Sequence, residues 1–477
     1  MKCWRERWKR RAIKRRYEIR KLEKRLKELT ESRDLWKNKV RNFKESNNEL
    51  KEQLKKTQRI IEEKPVEEKP ERHSYNLKTI TMLAKEKLES SISFRALSKT
   101  FCITKNYLKI LSDVPTHTTI TNWIHKIGHY QLMRRKEIAD DWIIILDHSI
   151  QLGQDKAFVI LGIREKNIDF SRPLQYHDLL PFRIESRKKW TGGSIAECVS
   201  DLKKEIGNIK YAVGDYGSDI KKGLKTTGIK HVHDITHAIA LILEKIYGND
   251  EEYQEFTKQM SVMRSRFSQT EIAHIIPPKQ RKKSRYQNIK MISDWGENAI
   301  KLLEHPGELP KDEKEKIIKE LGWVKGYGIF IKELSEINKA ICSMEKIIKT
   351  RGLCDISVKE SKDILSTLSS QKSVILKEQL VKYFEDMRNL INTENNILCT
   401  SDILESAFGK YKNYVGSNPM AGITNLVLCI AAFTSSMTED VVKEALESTT
   451  TNDIKKWTED FIGPTLLQKR KSAFAYA

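Results

Sequence analysis

The sequence predicts an α/β protein, with a mixed-sheet core interrupted by a large α-helical insertion and preceded by a helix-turn-helix and a coiled coil. Three observations carry this. Short apolar runs, mostly β-branched and bounded by turn residues, concentrate between residues 139 and 240. Charged amphipathic helical patterning with few strand signals fills residues 241–395. The first 64 residues lack Gly and Pro and carry an apolar repeat every seven positions.

The bulk numbers narrow the function classes. A chain of 477 residues holds two to four domains and buries a large core. Lys and Arg number 87 against 65 Asp and Glu, a net charge of +22, which favours a polyanionic partner, nucleic acid being the commonest. No run reaches the roughly 18 apolar residues a membrane span needs. The best, residues 423–433, is too short and reads as a buried helix. The start, Met1-Lys2-Cys3-Trp4-Arg5, lacks the apolar core of a secretory signal. Seven cysteines form no Cys-x-x-Cys pair, which argues against a zinc site and a disulfide framework and for a reducing cytoplasm. No Gly-rich phosphate loop appears, so no nucleotide cofactor is expected.

Residues 1–64 read as a basic coiled coil. Leu22, Leu29, Trp36, Phe43 and Leu50 recur every seven residues, and Leu26, Arg33, Val40, Asn47, Leu54 and Ile61 form the companion row four residues on. That alternation is an a/d seam with Asn47 as a register-setting polar residue, so a homo-oligomer, most simply a dimer, is expected. A single solvated helix is the bland alternative. The first twenty residues add a dense Arg and Lys block able to touch phosphates. Residues 65–73 form a charged, Pro-punctuated linker.

Residues 74–138 read as three short helices of a helix-turn-helix DNA-binding domain. Leu77, Ile80, Leu83, Ala84 and Leu88 make one apolar face, residues 93–101 a second helix, and a third opens after Pro115 and runs to Gly128. Its exposed row, Thr119, Asn122, Lys126 and His129, would enter a groove of duplex DNA. A plain three-helix domain fits the pattern equally well.

Residues 139–240 are expected to form the first part of the core. The run Trp142-Ile143-Ile144-Ile145-Leu146-Asp147 is a strand buried on both faces, ending in a carboxylate. Residues 157–164 are its hairpin partner, and a third strand lies at 174–180 or just beyond. A helix over 194–206 leads to a strand ending in Gly214-Asp215, and a strand-to-helix transition follows around His231 to His237. This order resembles the ribonuclease H topology, an antiparallel trio extended by parallel strands. After the insertion, residues 396–477 complete the core with a helix bearing Glu405 and further C-terminal helices.

Two strand-end aspartates, 68 residues apart, and a distant helical glutamate suit a pair of divalent cations. Such ions prefer hard oxygen ligands and, roughly 3.5–4 Å apart, can serve an in-line phosphoryl transfer.

The blocks Ile145-Leu146-Asp147-His148, Gly214-Asp215-Tyr216-Gly217-Ser218-Asp219, Asp234-Ile235-Thr236-His237 and Leu404-Glu405-Ser406-Ala407-Phe408 resemble motifs of the Asp-Asp-Glu transposases of bacterial insertion sequences. The resemblance covers roughly residues 75–440 and leaves the coiled coil outside. In that family a helical insertion separates the second Asp from the Glu, a Cys- or Asp-x-x-His element follows the second block, and a Lys often stands seven residues after the Glu, as Lys412 does here. The family's Tyr and Arg before the Glu are replaced by Leu398 and Ser401. The resemblance implies that Asp147, Asp215 and Glu405 are catalytic and bind two Mg²⁺, with Mn²⁺ able to substitute. It also implies cleavage at transposon ends and attack of the freed 3′-hydroxyl on target DNA, by a cytoplasmic, nucleoid-associated bacterial protein. Lys412 would contact a phosphate, and Asp234 and His237 would orient a ligand or the scissile strand.

Other residues carry weaker readings. Trp190, among Arg187, Lys188 and Lys189, could stack on a flipped base or simply pack. The run Lys279, Arg281, Lys282, Lys283 and Arg285 reads as a DNA-backbone contact or a solvated loop. Asp215 competes with Asp219, Glu405 with Asp402 and Glu394, and His237 is equally a core histidine. Rival functions are a nuclease or resolvase of the same fold, a catalytically silent transposon-derived DNA binder, and a coiled-coil scaffold.

Overall fold

The computed structural model describes residues 2–62, 68–108, 113–152, 155–280, 289–305, 307, 311–416 and 422–475. The chain divides into two compact units, Met1–Glu68 and Lys69–Ala477.

The first unit is one unbroken helix, α1 (Lys2–Glu62). The described apolar side chains of both heptad rows, Leu22 to Leu54, lie open on it, from 50% exposure at Val40 to 73% at Phe43.

The second unit is organised by a single five-stranded mixed sheet. Its strands are β1 (Ala139–Leu152), β2 (Asp155–Arg164), β3 (Leu180–Arg187), β4 (Gly207–Gly214) and β5 (His231–His233), in the spatial order β3-β2-β1-β4-β5. β1 pairs antiparallel with β2, and β2 antiparallel with β3. β4 adds parallel to β1, and β5 parallel to β4. Period-two alternation splits each strand between two cores. Trp142, Ile144, Leu146, Phe158, Ile160 and Ala212 pack on one face against Ile195, Val199 and Leu202 of α5 (Gly192–Ile206) and Ile220 and Leu224 of α6 (Ser218–Thr227). Ile143, Ile145, Val159, Leu161, Tyr211 and Val213 face the opposite, larger core. β1 is therefore buried on both sides, as its unbroken apolar run requires.

That larger core is shared by the N-terminal helices, the insertion and the C-terminal helices. Before the sheet come α2 (Leu77–Glu89), α3 (Phe94–Leu108) and α4 (His117–Met133). After β5 run α7 (Ile235–Tyr247), α8 (Glu251–Phe267), α9 (Ile289–Glu304), α10 (Lys311–Leu321), α11 (Gly328–Arg351), α12 (Asp355–Ser366) and α13 (Gln371–Ile391). The chain then returns to the sheet with α14 (Asp402–Val415), α15 (Leu428–Phe433), α16 (Glu439–Ser448), α17 (Thr451–Phe461) and α18 (Leu466–Ala475). Among the described residues no helix is long and apolar enough to cross a membrane.

Two sequence expectations change here. Gly128 does not end its helix: α4 continues to Met133, where the Lys136 ammonium donates to the carbonyls of Gln131, Leu132 and Arg134. The glycine serves close approach instead, since a Cβ there would stand 2.1 Å from the carbonyl oxygen of Leu428 on α15. α4 itself is central, packed by α2, α3, α15, α16, α17 and β3. Its expected groove-facing row is consequently split. Asn122 is exposed and Thr119 half-buried, tied to the cap residue Thr116. Lys126 instead donates to the Leu446 carbonyl at 3.2 Å, and His129 is half-buried, its pKa lowered by burial, so these two face neighbouring helices.

Candidate active site

Each residue of the site is placed by local structure. Ile145 on β1 pairs with Val213 on β4, and Asp147 and Asp215 each lie two residues beyond that parallel pair. The two aspartates therefore stand at the same level on adjacent strands, but only Asp215 follows a strand end. Contrary to the sequence expectation, β1 does not stop at Asp147, which pairs with Val159, and the hairpin with β2 carries it on to Leu152. Asp147 is buried, and its Oδ1 accepts the His148 amide at 2.5 Å. Asp215 is half-buried, and its Oδ1 accepts the Gly217 amide at 2.9 Å. A Cβ on Gly217 would come within 2.8 Å of that oxygen, so a larger residue there would press on the Asp215 carboxylate. Asp219 instead lies in the first turn of α6, 3.8 Å from His148.

Asp234 ends the next strand. It is 1% exposed and caps α7 by accepting the His237 amide at 2.9 Å. Its second oxygen accepts the amide and hydroxyl of Ser401 at 2.7 and 3.0 Å. Leu398, three residues earlier, donates its amide to the Tyr211 hydroxyl on β4 at 2.9 Å, and Ile235 donates to the Cys399 carbonyl. These bonds dock segment 398–401 on the sheet and launch α14 from there. The buried face of α14 is Leu404, Ala407, Phe408 and Tyr411, which turns Glu405 and Lys412 outward on the opposite side. Glu405 sits in the first turn, where the helix dipole favours an anion.

His237 links the two halves. Its Nδ1 is 3.2 Å from Asp234 Oδ1 and its Nε2 is 3.8 Å from Glu405 Oε1. The hydrogen bond with Asp234, reinforced by the charges of Asp234, Glu405 and Asp215, raises its pKa to about 9 despite burial. It is a cation at neutral pH. Glu405 is pushed above the usual carboxylate range, first by burial and then by Asp234, Asp402 and Asp147, with His237 opposing. Burial raises the Asp234 carboxyl too, but the hydrogen bonds from His237 and Ser401 outweigh it and hold the pKa low. Lys349 of α11 pairs with Asp402 at 2.8 Å and Glu345 at 3.4 Å, so the insertion contributes a cation beside α14.

The sequence-predicted residues thus fall into distinct groups. Asp147, Asp215, Asp234, His237 and Glu405 lie in one electrostatic neighbourhood, where β4 and β5 end beside the middle of β1, and Lys412 extends the exposed face of α14. Trp190 does not reach a site. It is 2% exposed, packs on Phe158 at 4.7 Å between ring centroids, and donates its indole N–H to the Lys156 carbonyl at 2.9 Å. It is a core residue and cannot stack on a base. Lys279 is exposed, and Arg281, Lys282, Lys283 and Arg285 lie outside the described residues. Sequence reasoning missed Tyr211, Ser401 and Lys349. Ser401 stood in plain view as a departure from the family pattern, whereas nothing in the helical texture of the insertion marks Lys349.

The donor chemistry of Asp147, Asp215 and Glu405, three carboxylates held by a strand, a strand end and a helix, suits hard divalent cations. As placed, however, no group of three or more His, Cys, Asp or Glu side chains among the described residues is arranged to hold a metal ion.

No protein-family model matches the chain, and no curated protein matches it. Among solved structures, the Drosophila P element transposase strand transfer complex is similar over 82% of this chain and 99% of that chain, with 11% identity and a TM-score of 0.37.

Proposed function

We propose that the chain is a DNA transposase of the Asp-Asp-Glu class on a ribonuclease H-like core. One observation carries the reading: Asp147 within β1 and Asp215 just past the end of β4 stand at the same level on adjacent parallel strands, and Glu405, from beyond the insertion, approaches them on the first turn of α14. The strand order, an antiparallel trio extended by two parallel strands, supports the topology, and the net charge of +22 supports a DNA partner.

In this reading Asp147, Asp215 and Glu405 would hold Mg²⁺ or Mn²⁺. Bound divalent ions supply activation of the attacking oxygen and stabilisation of the leaving one. The chain's own residues do the rest. The His148 amide within β1 and the turn at Gly217 hold the two aspartates, and Asp234 holds the start of α14 through Ser401. His237 carries a positive charge between Asp234 and Glu405. Lys412, exposed on the face of Glu405, would hold a phosphate, and Lys279 with Arg281, Lys282, Lys283 and Arg285 would track the DNA backbone. A homodimer through α1 would hold two transposon ends together, in the bacterial cytoplasm at the nucleoid.

The test is strand transfer in Mg²⁺ on DNA carrying the sequences that flank the gene, for wild type, Asp147→Asn and Glu405→Gln. Joined products from wild type alone support the reading. Nicking without joining moves the chain to a nuclease. The second reading, a silent DNA binder, is favoured by the absence of a gathered metal-holding group among the described residues. It predicts DNA binding by wild type with neither nicks nor joints.

A further inference from the structure

The carboxylate site makes no use of the most basic stretch of the molecule. Over residues 6–21 nine Lys or Arg face two Glu, whereas residues 22–62 carry twelve against eight Asp or Glu. The step falls at Leu22, where the exposed heptad rows begin. Both stretches belong to one unbroken helix, Lys2–Glu62, so the repeat fixes the direction in which the basic segment leaves it. The described side chains of both stretches are exposed, from Glu6 to Lys55.

The apolar rows identify the first occupant. A helix gains most of its stability from packing an apolar face, and here Leu22, Leu26, Leu29, Trp36, Val40, Phe43, Leu50 and Leu54 are each at least 50% exposed. A second copy supplies the same rows. Asn47 stands in the companion row, and two such residues meet only when the copies run parallel and in register. Arg33, the other polar member of that row, pairs with Asp34 of its own helix at 3.0 Å. A parallel pair brings both basic segments out at the same end.

Charge and dimension identify the second occupant. Residues 6–21 extend about 24 Å at 1.5 Å per residue, a length comparable to about seven base pairs at 3.4 Å each. Arg7, Arg10, Arg11, Lys14 and Arg15 form one face of the helix and Lys9, Arg16 and Arg20 the opposite one, which suits a groove walled by phosphates on both sides. We propose that α1 pairs in parallel with a second copy and that the two basic segments fork across the major groove of duplex DNA, so that α1 is a DNA-binding element in its own right. The geometry is that of a continuous basic helix diverging from a dimerising repeat.

The experiment uses the full chain in EDTA on a 20-base-pair duplex of unrelated sequence, with affinity measured by fluorescence anisotropy at several salt concentrations. Because it reads binding alone, it does not depend on whether the carboxylates catalyse. The quintuple substitution of Arg7, Arg10, Arg11, Lys14 and Arg15 by Gln keeps helix-forming residues. It should weaken binding at least tenfold at 100 mM salt and flatten the log–log salt slope by roughly 5 or more, at about 0.9 for each phosphate no longer neutralised. Leu29→Asp with Val40→Asp should give a monomer by sedimentation equilibrium and lose affinity similarly. In a background with Cys3→Ser and Cys102→Ser, which should not itself cross-link, Leu54→Cys should cross-link between copies on oxidation, which an antiparallel pair would not allow. An unchanged salt slope in the Gln variant, a monomeric wild type, or failure of Leu54→Cys to cross-link overturns the proposal.

Discussion

Asp234 and Ser401 stand 167 residues apart in sequence, yet the amide and hydroxyl of Ser401 both donate to one carboxylate oxygen of Asp234, at 2.7 and 3.0 Å. Asp234 also caps α7 and contacts His237, so a single buried carboxylate fastens the strand end, the following helix and the start of the Glu405 helix. The insertion is spliced into the core at this point.

Removing this fastener should be costly. Asp234→Ala should lower the free energy of unfolding by about 3 kcal/mol, since it strips charged hydrogen bonds and a cap and leaves buried donors unpaired. Ser401→Ala, which deletes only the hydroxyl, should cost about 1 kcal/mol. Urea denaturation of the two variants checks the ratio, and equal small effects would contradict it.

His237 makes the fold pH-dependent. Its folded pKa, about 9, lies above the ordinary value of 6.5, so its contribution is complete below pH 6.5 and is lost as pH rises through 9. Metal-free wild type should therefore lose stability between those values relative to His237→Gln. Urea midpoints at pH 6, 7.5 and 9.5 in EDTA test this, and parallel curves for the two proteins would contradict it.

Gly128→Ala should destabilise the protein by at least about 1–3 kcal/mol, because the new methyl meets the Leu428 backbone rather than a yielding side chain. Thermal unfolding measures it, with the exposed Gly409→Ala, where a Cβ meets nothing within 4 Å, as the control.

Trp190→Phe should lower stability by roughly 1 kcal/mol through its lost bond to Lys156 and leave DNA affinity unchanged. Reduced affinity in a folded variant would restore the base-stacking role that its burial denies.

Sequence patterning and structure agree where one local pattern decides the outcome. The apolar run before Asp147 has to lie inside a sheet, and the short strand before Asp215 pairs beside it. The apolar spacing around Glu405 turns that residue away from the core. Patterning says which face is apolar and leaves open what covers it. Lys126 and His129 occupy the polar row of an amphipathic helix and still face α16 and α17. Trp190 sits among cations in sequence while its ring fills the core. Gly128 carries the signature of a helix end, and only the path of α15, some 300 residues away, shows why the helix passes through it. Lys349 belongs to a long charged helix, and its place beside Asp402 follows from tertiary packing alone.

The most direct test of the shared carboxylate site is a metal-preference switch. Asp147→Cys, Asp215→Cys and Glu405→Cys are assayed separately for strand cleavage in Mg²⁺ and in Mn²⁺. A thiolate is a poor ligand for the hard Mg²⁺ ion and a better one for Mn²⁺. The account predicts loss of product in Mg²⁺ for all three variants and partial recovery in Mn²⁺. Wild-type activity of any variant in Mg²⁺, or no recovery in Mn²⁺ at any of the three positions, would contradict it.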